Sequence, residues 1–209
     1  MEVDGLYYEG IHMSSLIIAG DTSGQVTVAA PAVAGTNTLT LQAATATSSV
    51  NVLGTAVAST SGTSIDFTAL PSWVKKITVM FSGVSQSTAD DITLLLGTGA
   101  TPTYASSGYN GLSISQAGGS STNLSTSFKI TCISGPTAAL IYGITTLNLI
   151  TGNTWVCNSS NGNGTATGVN QASYCYGSNA LGGTLTAIRI ALTGAGTFDA
   201  GTVNIMYEG

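Results

Sequence analysis

The side chains able to do acid–base, nucleophilic or metal chemistry are few: nine Asp+Glu, four Lys+Arg, three Cys and one His in 209 residues. Glycoside hydrolysis needs two carboxylates facing each other across a cleft. Asp66 and Asp199 meet that need only if the first and last strands of the main body are neighbours, and both sit in segments that read as turn and strand-end. The pair Asp90-Asp91 lacks the further spaced oxygen ligands of a calcium loop and reads as an exposed hairpin pair. His12 stands alone in an atypical N-terminal stretch, so no Ser/His/Asp or Cys/His set is expected, and there is no Gly-x-Ser-x-Gly elbow. Cys132, Cys157 and Cys175 have no metal-ligand spacing. Small buried thiols are favoured over one disulfide with a spare. The expectation is a protein without catalysis, cofactor or metal.

Aromatic side chains offer a second chemistry, stacking on a sugar face or on another protein. Tyr104 and Tyr109 are flanked by Ser and Gly and are candidate exposed rings. In Tyr174-Cys175-Tyr176, strand alternation places both rings on one face and the thiol on the other. These four tyrosines are the candidate ligand-binding set, with glycan or interface contact as the two readings and interface contact favoured. Trp73 and Trp155 are expected to be core residues, because large aromatics are mostly buried.

The elements that must position these residues are short strands. Only 6% of the chain is charged, 43% is hydrophobic and the mean hydropathy is +0.35, so a packed core is expected. Candidate strands lie at Ile65–Phe67, Lys76–Phe81 (running until Gly83), Ile92–Leu96, Thr126–Ile133, Leu140–Ile150, Thr154–Asn158, Ala172–Tyr176, Thr184–Leu192 and Thr202–Tyr207. Gly/Ser/Asn clusters separate them and no helical segment intervenes. This pattern predicts an all-β antiparallel β-sandwich, jelly-roll-like, over residues 61–209. The stretches 98–125 and 158–171 are expected to be long loops.

Residues 14–60 have a different texture. Gln25–Val28, Thr38–Leu41 and Ser49–Val52 alternate polar and apolar at spacings of about 11–13 residues. They predict an N-terminal β arm that packs on copies of itself or on a partner, with extra strands of one larger sandwich as the alternative. Residues 1–13 are set apart by composition and read as an extension, either cloning-derived or from an upstream start. The net charge of −5 argues against nucleic-acid binding. No run of about 18 apolar residues is present, so no membrane insertion is expected.

The stretch from Ile17 to Gly24, with Val26–Val28 and Pro31–Leu41, resembles the N-terminal segment of many structural proteins of tailed bacteriophages. Ile65–Thr68, Pro71–Phe81, Gly152–Val156 and Thr197–Ile205 are similar to a domain found in tail-fibre and other virion structural proteins. The resemblance implies a virion component built as a homo-oligomer, a trimer, in contact with other virion proteins. Its leading role would be a tail-fibre or tail-tip component that meets a host surface glycan. Rival roles are a capsid decoration or cement protein and, further off, a polysaccharide-degrading tailspike.

Overall fold

The computed structural model describes residues 15–19, 25–29, 50–116, 121–131, 139–164 and 171–209. Among them there is no helix, and the strands are antiparallel throughout. Residues 1–47 and 48–209 are two separate units. In the first, β1 (Ser15–Ala19) and β2 (Gln25–Ala29) form a hairpin with Ser15 opposite Ala29 and Ala19 opposite Gln25. Thr38–Leu41 lies outside the described residues.

The second unit is a two-sheet β-sandwich. Its elements are β3 (Asn51–Leu53), β4 (Val57–Ala58), β5 (Ser64–Phe67), β6 (Lys76–Gln86), β7 (Ile92–Thr98), β8 (Thr103–Tyr104) and β9 (Asn110–Ser115). Then follow β10 (Ser121–Asn123), β11 (Phe128–Lys129), β12 (Leu140–Thr151), β13 (Thr154–Gly164), β14 (Gln171–Ala180), β15 (Leu185–Leu192) and β16 (Phe198–Glu208). The nine-stranded sheet runs β10-β9-β14-β13-β12-β6-β16-β3, with β4 also on β16. The five-stranded sheet runs β11-β7-β15-β5, with β8 on β7. The chain passes repeatedly from one sheet to the other, which is how non-local pairs such as β6–β16 arise.

One core joins the sheets. Ile77, Val79 and Phe81 of β6, Leu147 of β12 and Trp155 of β13 pack with Leu94 and Leu96 of β7 and Ile188 and Ile190 of β15. Each such fully buried side chain contributes about 1.5–3 kcal/mol relative to exposure. Strand β15 shows the period that selects this arrangement, with Ile188, Ile190 and Leu192 buried on the inward face and Arg189 on the other.

Several expectations are corrected. Ser49–Val52 is not part of the arm: β3 belongs to the large sheet, and the boundary between units falls after Thr47 rather than at residue 60. Gly83 does not end β6. It sits in a bulge with φ of 63°, facing Gly201 of β16 at φ 94°, and a side chain at Gly201 would collide with the Gly83 carbonyl. The stretch 158–171 is strand as far as Gly164, and 98–125 contains β8, β9 and β10. Trp155 is buried as expected, but Trp73 is 39% exposed. It lies in the turn before β6, where Val74 takes the core position and the indole rests against Tyr207 at 5.7 Å between centroids.

Candidate functional site

The outward face of the nine-stranded sheet is assembled by register. One row runs Ile114–Tyr174–Ser160–Ile144–Met80–Asn204 across β9, β14, β13, β12, β6 and β16. The next runs Leu112–Tyr176–Asn158–Thr146–Thr78–Met206–Leu53, ending on β3. A third runs Asn110–Ser178–Val156–Asn148–Lys76–Glu208–Asn51. Directly paired residues share a face, with about 5 Å between Cβ atoms, so each row is a continuous strip of side chains.

These strips carry two charges, Lys76 and Glu208, and they neutralise each other at 2.9 Å. Ile144 is 50% exposed, Tyr176 47% and Leu53 65%. Tyr142, half exposed, extends the face in the row of Gly162 and Ala172. Three rows over six strands cover roughly 600 Å² of flat sheet, at about 4.8 Å between strands and about 6.8 Å between rows. That is close to the ~800 Å² per partner of a stable protein interface, before side-chain relief is added.

The four candidate tyrosines are not brought together. Tyr174 and Tyr176 lie on this outward face and Cys175 on the inward one, as alternation requires. Tyr109 is a correction: it is 2% exposed, its ring meets Phe128 edge-on at 4.8 Å, and its hydroxyl accepts from Leu96 N at 2.9 Å. Burial pushes its pKa up to about 12. Tyr104 belongs to the small sheet and is also not a free ring. The guanidinium of Arg189 lies 4.1 Å over it and is held by a two-pronged bond to Asp66, both contacts at 2.7 Å. Gly97 makes room for the ring, since a Cβ there would come within 2.9 Å of it. Partial burial, then the Asp66 charge, raise the Tyr104 pKa.

The acids are likewise dispersed. Asp66 sits on β5 of the small sheet and Asp199 on β16 of the large one, where it accepts from Ser85. Asp90 accepts from Thr88 and from Gly196 N, tying the β6–β7 turn to the β15–β16 connection. Cys157 and Cys175 are unbridged and buried on adjacent strands. Their mutual hydrogen bond, then burial, raise the Cys157 pKa. Cys132 lies outside the described residues.

Sequence reasoning missed Tyr142 and Ile144. Apolar residues occupy both parities in Leu140-Ile141-Tyr142, so period two alone does not orient β12. Among the described residues, no group of three or more His, Cys, Asp or Glu is placed to hold a metal ion, and no helix is long and apolar enough to cross a membrane. Compared with protein-family models, curated proteins and solved structures, the chain matches none.

Proposed function

We propose that this chain is a structural protein of a tailed-phage virion that assembles as a homo-oligomer through the outward face of its large sheet. In this reading it serves as a tail-fibre or tail-tip component that also meets the host surface. The observation that carries the assembly is the uncharged face itself, with Tyr174, Tyr176, Ile144, Met80 and Met206 side by side and its one ion pair internally neutral. A charged partner would bury its own charges unpaired against it, at a cost of several kcal/mol each. Further copies of the same face bring only the paired Lys76 and Glu208, so three copies turned towards a shared axis cover one another without an unpaired charge. The virion assignment is supported by the resemblance of residues 17–24, 26–28, 31–41, 65–68, 71–81, 152–156 and 197–205 to phage structural proteins.

Light scattering on the purified chain tests the assembly. The expected mass is three times the 20.8 kDa of one chain. Replacing Ile144 by Asp should give monomers with an unchanged β-type circular dichroism spectrum. A wild-type monomer, or an oligomer untouched by I144D, overturns the interface. Immunogold labelling of particles then separates the roles: label on the tail supports this reading, and label on the capsid replaces it with the decoration role.

A further inference from the structure

A second surface, away from the large sheet's outward face, has different chemistry. The connection between β10 and β11 and the neighbouring ends of β7 and β15 border an open cleft of about 200 Å³. Its walls carry Asn123, Ser125, Thr126 and Thr193 around one ion pair, Lys129 Nζ to Asp91 Oδ2 at 2.7 Å. Both charged side chains are partly buried, 24% and 22% exposed, so their charges are screened less than on open surface.

The pair decides what fits. A cation faces the Lys129 ammonium, and a phosphate or carboxylate faces Asp91. A neutral polyhydroxyl molecule meets neither repulsion. An ammonium donates three hydrogen bonds and a carboxylate accepts up to about four, so both engage ligand hydroxyls while keeping their mutual bond. The hydroxyl and amide walls add donors and acceptors of both kinds. The volume is below the roughly 300–1,000 Å³ of sites that enclose drug-sized ligands, so it suits one ring rather than an oligomer.

We infer that this cleft binds a single neutral sugar residue, with Asp91 and Lys129 as its polar clamp. This rests on the host-contact part of the proposed function and gives that contact a place and a ligand class.

The test is saturation-transfer NMR on the full chain with D-glucose, D-galactose, D-mannose and N-acetyl-D-glucosamine, and with calcium chloride and inorganic phosphate titrated separately. At least one sugar should receive saturation. Asp91→Asn should weaken that binding about tenfold, the loss expected for one charged hydrogen bond. Ser125→Trp, at an exposed position, should fill the cleft and abolish transfer without touching the ion pair, which keeps the test decisive should Asp91→Asn misfold. Transfer to none of the four sugars, transfer unchanged in Ser125→Trp, or larger shifts of the Asp91 and Lys129 resonances with calcium or phosphate would overturn the inference. Oligomer mass measured on the same samples reports separately on the assembly interface.

Discussion

Strand β13 has two halves, and they are held by different forces. Near its start, Trp155 and Cys157 point into the apolar core beside Leu147 and Ile77. Further along, the inward positions are Ser159, Asn161 and Asn163, buried just as thoroughly. There the contacts are hydrogen bonds: Thr145 and Ser159 share one at 2.7 Å, and Asn161 Nδ2 donates to Ser159 Oγ at 2.6 Å and to the Ile130 carbonyl. Among the described residues, Asn161 Oδ1 and Asn163 Oδ1 in this half, and Gln171 Oε1 of β14 opposite Asn163, have no protein hydrogen-bond partner. Each such acceptor costs about 1–3 kcal/mol where no water reaches it, a penalty that the apolar half does not carry. Burial alone therefore does not measure what a residue contributes here.

The contrast is breakable. Trp155→Ala should be the most damaging change, lowering unfolding stability by about 3–5 kcal/mol through lost burial and a cavity. Asn161→Ala should cost less, about 1–3 kcal/mol, because the lost donor is partly offset by removing an unpaired oxygen. Urea midpoints at constant m-value measure both. Equal losses would mean that the polar half is as structural as the apolar one.

Tyr109→Phe should be the mildest at neutral pH, about 1 kcal/mol for its hydrogen bond to Leu96 N. It sharpens the comparison through pH. The folded pKa of Tyr109, about 12, is above the ordinary value of 10.0. The folded state thus holds the proton more tightly, its contribution is complete below about pH 10, and it is lost as pH rises towards 12. Thermal melts across that window should fall more steeply for the wild type than for Y109F. Parallel slopes would show that the buried phenol is not the group responsible.

Much of the sandwich is legible in the sequence, because strands such as Thr154–Asn158 alternate cleanly around one buried face. Legibility ends where polar residues are buried. Asn158 to Gly164 has the composition of a loop, yet its alternate positions face inward and bond one another, which no hydropathy pattern records. Tyr109 reads as exposed for a related reason. Its neighbours are Ser and Gly, and its partners, Leu96 and Phe128, come from distant strands. Tyr174 and Tyr176 are orientable from sequence because Cys175 between them marks the inner face, whereas Tyr142 has apolar residues on both parities and is not. The sugar cleft is invisible along the chain, since Asp91, Lys129 and Thr193 meet only when β7, β11 and β15 are assembled.

The pairing at the edge of the large sheet has a mechanical consequence. Val50 N donates to the Gly209 carbonyl at 3.1 Å and Gly209 N to the Val50 carbonyl at 3.2 Å, at one end of the antiparallel β3–β16 ladder. A load applied between residues 50 and 209 therefore pulls at the same end of both strands. The hydrogen bonds break one after another from Asn51 towards Leu53, as in unzipping, instead of resisting together in shear. The edge would peel at low force while the longer ladder between β6 and β16 stays intact, making β3 the first strip to tear from the sheet.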